Sequence, residues 1–386
     1  MRIKQFSFFS YSLILLLLFS CSVYVQAGSR ISGGYVHSLA VKNDGTVWAW
    51  GWSGFGAFPF VPITPQPAQV SGLTDVNSVS AAFLASFALK NNNTLWAWGW
   101  NEYGQLGDGT TNAASAPVEV SGPSDIVSVD SSLRSSLALK SDRTAWAWGN
   151  NEYGQLGDGT TNISLVPILV SNLTDVIEIS AGGNHSLALK GDGSLWAWGN
   201  NEYGQLGDGT TNSALTPVEI TNFSNASAIS AGIAHSVALK NDGTVYAWGN
   251  NEYGQLGDGT TNSASAPVEV SGLSDIVSID ASYAHSLALK SDGTVWAWGN
   301  NVYGQLGNGT TNSSLLPVEV VNLTDVVEVS AGYYHSLALK NDGTVWAWGN
   351  NIYCQLGDGT TNNKCAPVQV SNLRITVRGA PQDFNG

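Results

Sequence analysis

Five histidines, His37, His185, His235, His285 and His335, are the only imidazoles in this chain of 386 residues, and a serine follows each of them. Histidine next to serine is a pairing that nucleophilic catalysis uses, and several histidines at fixed offsets can hold a metal. The spacing argues against both. Consecutive members of the last four stand 50 residues apart, so their equivalent atoms belong to separate copies of one unit, whereas zinc draws its ligands to about 2 Å from a single point. Adjacent side chains on a strand point to opposite faces, which turns each histidine away from the serine after it. A bond from the imidazole to a neighbouring backbone is the role that remains.

A second constellation is the stretch Asn-Glu-Tyr-Gly-Gln-Leu-Gly-Asp-Gly-Thr-Thr-Asn, identical at Asn101, Asn151, Asn201 and Asn251. Asp108 and its counterparts suggest calcium, but each copy offers too few acidic oxygens for the six to eight that calcium takes. Turn chemistry explains the Asp, Asn and Gly content more simply. No Gly-rich loop followed by Lys-Ser/Thr is present to cradle a phosphate. Neither a metal, a cofactor nor a catalytic residue is expected.

The elements carrying these residues are set by Trp-Ala-Trp-Gly, which recurs at Trp48, Trp96, Trp146, Trp196, Trp296 and Trp346, with Tyr246-Ala-Trp-Gly in the remaining slot. The spacing is 48 residues once and 50 thereafter. So regular a beat implies one supersecondary unit, unable to bury its apolar face alone, stacked seven times. In the last copy, Val326 to Ser330 reads as strand a and His335 to Lys340 as strand b. Asn341-Asp342-Gly343 is a hairpin signal of the type I′ kind. Thr344 to Trp348 is strand c, with Val345 and Ala347 on one face and Trp346 and Trp348 on the other. A polar loop from Asn350 to Lys364 leads to strand d at Pro367 to Val370. Four short antiparallel strands with Gly and Asn at the corners describe a propeller blade, with the Trp pairs packed between blades.

The series Ala-Gly-x-x-His-Ser-x-Ala-Leu-Lys-x-Asp-Gly-Thr-Val-Trp-Ala-Trp-Gly-Asn-Asn-x-Tyr-Gly-Gln-Leu-Gly-x-Gly-Thr, followed by a Pro-Val strand, resembles the repeat of the regulator of chromosome condensation family. The resemblance covers residues 31 to 379 in seven copies. It implies an all-β, seven-bladed propeller of four-stranded antiparallel blades. The family's best-known eukaryotic member is a guanine-nucleotide exchange factor for the small GTPase Ran and a chromatin binder. As the resemblance implies it, exchange uses one propeller face and an inserted β-wedge, and chromatin binding uses a basic tail; this chain has neither addition. Closure follows from the ends: the mature N-terminus is expected to offer only Arg30-Ile31-Ser32 where later units have a full strand a, and Arg374 to Arg378 continues in the register of Thr324 to Glu328. The C-terminal strand, Ile375 to Arg378, is therefore expected to pair into blade one beside Tyr35 to Val41, closing the ring and hiding an edge.

Residues 1 to 27 read as a signal peptide ahead of a single propeller domain, 28 to 386. Arg2 and Lys4 precede an apolar stretch centred on Leu13 to Phe19, and Val25-Gln26-Ala27 supplies a small-residue cleavage site. Lipidation at Cys21 and retention of Phe6 to Tyr24 as an anchor are the competing readings, and only these two would tie the chain to a membrane. Export to the periplasm, cell surface or medium follows. Net charge is −14, or −16 without Arg2 and Lys4, and no Lys/Arg cluster offsets it. Such a surface repels phosphate backbones and excludes nucleic acid as a partner. In an oxidising compartment Cys354 and Cys365, both off-pattern and both in the last repeat, are expected to form a disulfide that would contribute about 3 kcal/mol.

If the shared positions build the scaffold, a specific site belongs where units differ. Trp52 and Trp100 stand where later units have Asn, and blade one adds Phe55, Phe58 and Phe60 in the same loop. Blades two and three lose the His, with Phe83-Leu84 and Leu133-Arg134 in the preceding turn. The a–b and c–d connections of an up-and-down blade emerge on one side, so these nine residues share one propeller face. Aromatic surface with one Arg on an acidic rim suits a binding site for a protein, or for a glycan; the competing reading buries these rings in an irregular first blade. A monomeric, non-enzymatic interaction propeller is the leading expectation, a small-GTPase exchange factor the alternative.

Overall fold

A computed structural model describes residues 29–52 and 63–376; the leader with Cys21, the loop carrying Phe55, Phe58 and Phe60, and Arg378 lie outside the described residues. Seven four-stranded antiparallel sheets are present, each with its strands in chain order a-b-c-d. Blade one comprises Ile31–Gly33, His37–Val41, Val47–Trp52 and Ile63–Gln69; blade five Ala226–Ala231, His235–Lys240, Val245–Gly249 and Ala264–Glu269; blade seven Val326–Ala331, His335–Lys340, Thr344–Gly349 and Lys364–Arg374. The expected all-β seven-bladed propeller is the observed fold.

Alternation within Trp-Ala-Trp sets the packing. Val345 and Ala347 of blade seven join Ile31, Ala40 and Trp50 of blade one in one apolar cluster, while Trp348 joins Leu287, Val295 and Ala297 of blade six in another. Each blade thus lays its tryptophan face on the Val/Ala face of the blade before it. Seven such clusters fill seven seams. The two tryptophans of each pair are not equivalent. The second (Trp50, Trp98, Trp148, Trp198, Trp248, Trp298, Trp348) is fully buried; the first is half-exposed, and the last strand-b lysine lies over its ring, as Lys42 does 3.7 Å above Trp48. The expectation that both pack between blades holds fully only for the second.

Three local expectations are corrected. As far as Thr376, the last described residue, the C-terminal segment does not pair into blade one. Strand d of blade seven runs to Arg374, which pairs with Thr344 of the same blade, and the Ile375 N–H bonds to Gly343 O at 2.8 Å. Strand a of blade one pairs only with its own strand b, Ile31 opposite Ala40. Every blade is therefore built from contiguous chain, and the seam is closed by packing, with Ile375, fully buried, in the cluster with Ile31 and Trp50, and by backbone bonds from the Tyr333 N–H to Gly34 O and the Gly359 N–H to Pro65 O. The Arg30 guanidinium adds a bond to Thr376 O at 3.0 Å. The hairpin is also of another kind. Only Gly343 takes a positive φ, 86°, and its N–H bonds to Lys340 O, which is a type I turn ended by one left-handed residue, not a type I′ turn.

The third correction concerns the cysteines, which are both free thiols. Cys365 sits at the seam with blade six, its Cα and Sγ against Gly304. Cys354 is blade seven's counterpart of Gly304, so the repeat aims it at the opposite seam, where the Gly359 N–H bonds to Pro65 O of blade one. Proximity in sequence gave the wrong pairing because one blade presents its loop and its strand d to different neighbours. Cys354 also keeps the left-handed backbone of the glycine it replaces, with φ of 63°.

Candidate functional site: the axial mouth and its aromatic arc

The histidines bond across seams. His235 Nε2 is hydrogen-bonded to Ser286 Oγ at 3.0 Å, and the same contact joins His37 to Ser86, His185 to Ser236, His285 to Ser336 and His335 to Ser38. Each of those serines except Ser86 is seen to donate onward to a glutamine carbonyl of the histidine's own blade, Ser236 to Gln205 O for one, and the buried Trp248 Nε1–H shares that acceptor at 2.9 Å. The partner is thus a serine hydroxyl one blade on, where a backbone group was expected. Burial pushes the imidazoles down to about 3, or about 4 for His37. Neutral, fully buried and out of reach of any substrate, these His–Ser pairs hold blades together.

The Asp108 loop is equally occupied with its own fold. Asp108 Oδ1 accepts from Asn101 Nδ2 and from the Thr110 N–H and hydroxyl, while Asn101 Oδ1 accepts from the Leu106 N–H. These are turn bonds.

What remains is the face bearing the a–b and c–d connections. The Trp52 N–H bonds to Val36 O and the Trp100 N–H to Leu84 O, each at 2.8–2.9 Å, so the two connections do share one side. Trp52 is half-buried, 5.9 Å from the ring of Tyr353 in blade seven. Phe83 and Trp100, both half-buried, lie 6.0 Å apart; Tyr103 is 5.5 Å beyond Trp100, and the exposed Arg134 guanidinium stands 4.7 Å over the Tyr103 ring. Leu84 and Leu133 are half-buried, Leu133 lining the axial cavity. Phe83, Trp100 and, through Tyr103, Arg134 are thus gathered on one face, whereas Trp52 leans toward blade seven.

The arc extends further, in the other direction, than blades one to three. Tyr35 lies 4.5 Å from both Phe83 and Tyr333, and Tyr333 stacks on Tyr283 at 4.2 Å. Tyr334 packs on Tyr283 and Tyr303 at 5.1 and 5.0 Å. Desolvation raises the phenol pKa values of Tyr35, Tyr333 and Tyr334, the neighbouring phenols adding to it. Tyr35, Phe83, Tyr283 and Tyr333 occupy one turn position in blades one, two, six and seven; blades three, four and five have Leu133, Gly183 and Ile233 there. Reading that single position around the ring would have found the tyrosines. Comparing only blades that lost the His did not.

Of these rings Tyr35, Phe83 and Tyr333 border an axial cavity of about 100 Å³. Beneath them strand a contributes one side chain per blade: Ser32, Ser80, Asp130, Ser180, Ser230, Asp280 and Ser330. They form a hydrogen-bonded annulus. The Ala231 N–H bonds to Ser180 Oγ, Ala281 to Ser230 Oγ, Ala181 to Asp130 Oδ2 and Ala331 to Asp280 Oδ2, at 2.8–3.0 Å. Two residues earlier on strand a stand Glu178 and Glu328. Burial raises all four acids, Asp280 to about 6 and Glu178 to about 8; charge on Asp130 adds to the shift of both.

A family model, the RCC1-like domain, matches residues 20–324 and 176–380. A search of curated protein sequences returns no relative. Among solved structures, human WBSCR16 is 25% identical, with a TM-score of 0.77 over 88% of this chain and 96% of that one. Prp20p of Saccharomyces cerevisiae, studied for its binding to Gsp1p and histones, is 23% identical, with a TM-score of 0.75 over 86% of this chain and 88% of its own. Yeast RCC1 (Prp20) bound to Kap60 is 21% identical, with a TM-score of 0.75 over 96% and 90%.

Proposed function

The chain belongs to the RCC1-like domain family, and on that premise we propose that it is a non-enzymatic interaction propeller that docks a partner protein on the aromatic face. One observation carries this reading: half-buried rings run from Tyr283 through Tyr333, Tyr35 and Phe83 to Trp100 on a single face, while the repeated polar groups are consumed in holding blades together, as the histidines are, or in shaping their own turns, as the Asp108 loop is. Large rings with a polar handle, rimmed by Arg134 and acidic loops, have the make-up of interface anchors. Protein binding by Prp20p accords with it. A glycan is the other ligand that such rings accept. The leader places the propeller outside the cytoplasm in this reading, and the negative surface turns it from nucleic acid.

Affinity capture from secretions and surface extracts with the wild-type chain, against Trp52→Ala/Trp100→Ala, tests the site. Loss of the captured partner with an unchanged melting temperature is the expected result; a collapse in stability, or retained capture, overturns it. Gsp1p binding by Prp20p favours the exchange-factor alternative. Accelerated nucleotide release from a small GTPase would establish that alternative in place of simple docking.

A further inference from the structure

We propose that the axial mouth is a receptor for an alkylammonium group, the side chain of a lysine on the partner protein. This names the chemistry of the partner in the docking reading and rests on it. Three independent features meet at one cavity. The annulus that five blades complete with serine carries a carboxylate in blades three and six, Asp130 and Asp280. Serine already makes the inter-blade bond, as Ser180 and Ser230 do, so the scaffold does not need the two charges.

Those charges lack a counter-ion. Every hydrogen bond to Asp130 and Asp280 comes from a neutral donor, the Ser180 and Ser230 hydroxyls and the backbone at Ser131, Ala181, Ala281 and Ala331. Among the described residues neither carboxylate pairs with Lys or Arg. Like charges facing one narrow channel repel, and holding them there costs stability unless something positive enters. The third feature is the wall above: Tyr35, Phe83 and Tyr333 border the mouth on one side, with Tyr283 stacked behind Tyr333, and Leu133 and Ile233 border the other. Aromatic faces attract a cation as it sheds water, and aliphatic side chains suit its methylene stem.

A lysine fits better than a metal ion. Divalent calcium takes six to eight oxygens, and the carboxylate oxygens here are already engaged by backbone N–H groups; among the described residues no cluster could hold a metal ion. An ammonium on a slender stem needs only the field of the two carboxylates and the ring faces.

Ligand-observed NMR titration at pH 8 tests this with acetyl-Gly-Lys-Gly-amide and its norleucine analogue, which keeps the stem and lacks the charge. The lysine peptide is expected to bind with Kd of about 1 mM, at least about tenfold tighter than norleucine. Asp130→Asn/Asp280→Asn, near-isosteric and checked by its melting curve, should erase that difference. Tyr333→Leu leaves both carboxylates in place, and should weaken the lysine peptide about twofold to fivefold. Equal binding of the two peptides, an unaffected Asn double variant, or displacement of the peptide by millimolar calcium chloride would overturn the assignment. Partner capture that depends on Trp100 with no lysine-peptide binding overturns the channel proposal alone. Lysine-peptide binding with no captured partner overturns the docking reading and leaves the ammonium site standing.

Discussion

Blade five and blade two are two executions of one unit, and they differ where the polar bonds lie. In blade five His235 reaches Ser286, Trp248 reaches Gln205 O, and Asn250 Oδ1 accepts from Gln255 Nε2 at 2.6 Å. Blade two has Ala85 for the histidine and Trp100 for the asparagine, and buried Gln105 Nε2 is left without a partner. In exchange blade two has Phe83 and Trp100 on the open face, and Phe87, fully buried, 6.4 Å from Trp148. A buried amide left unsatisfied costs about 1–3 kcal/mol. The His–Ser and Trp–Gln bonds of the repeat are therefore inter-blade adhesive, and in blade two, where the histidine is given up, aromatic rings stand on the open face.

The largest effect that could break this comparison comes from a paired truncation. Trp248→Ala should cost about 3–5 kcal/mol, since it removes a fully buried ring and its bond to Gln205 O. Trp100→Ala should cost under about 1 kcal/mol as a half-buried face residue. Denaturant unfolding of both variants measures the gap, and equal losses would make Trp100 a core residue like the other.

His235→Ala, which gives blade five the side chain of Ala85, should cost about 2–3 kcal/mol and should also alter the pH response. Folded imidazoles stay neutral down to about pH 3, whereas in the unfolded chain they protonate near pH 6.5. The unfolded state then binds more protons between those values, so stability falls as pH drops below about 6.5. Asp280 and Glu178, raised to about 6 and about 8, act in the opposite sense and gain stability on protonation. Five histidines outweigh them in number. Unfolding free energies should fall less in His235→Ala, by about 0.7 kcal/mol between pH 7 and 6 and about 1.2 kcal/mol between pH 6 and 5, as the unfolded imidazole titrates; identical slopes would show that His235 is protonated in the fold.

Trp100→Asn runs the comparison backwards. Restoring an acceptor to Gln105 Nε2 should raise stability by about 1 kcal/mol while removing a ring from the face. A lower melting temperature would show that Trp100 is needed for packing. The smallest effect belongs to blade seven, where Cys354→Gly relieves a left-handed cysteine backbone and should gain about 0.5–1 kcal/mol. Reductant should leave the melting temperature of the wild-type chain unchanged, as expected of two free thiols.

Much of this is legible in the sequence. Strand alternation in Trp-Ala-Trp told which faces pack, and the constant beat marked Trp52 and Trp100 as the tryptophans out of frame. Less visible was the unequal burial of each pair, since alternation assigns a face but not depth. Trp96 and Trp98 share a face, yet only Trp98 lies deep in the seam.

By itself the sequence determined the blade, its strands, their number and the side chains each face would offer, because those depend on contacts within about 50 residues. Only the tertiary structure decided who meets whom across seams. His335 finds Ser38 and Tyr333 finds Tyr35 because ring closure brings chain ends together. Cys354 and Cys365 stay apart because one blade faces two neighbours. The annulus of serines with Asp130 and Asp280 exists only once seven strands surround one axis. Local spacing fixes the parts of a propeller, and closure alone creates its centre.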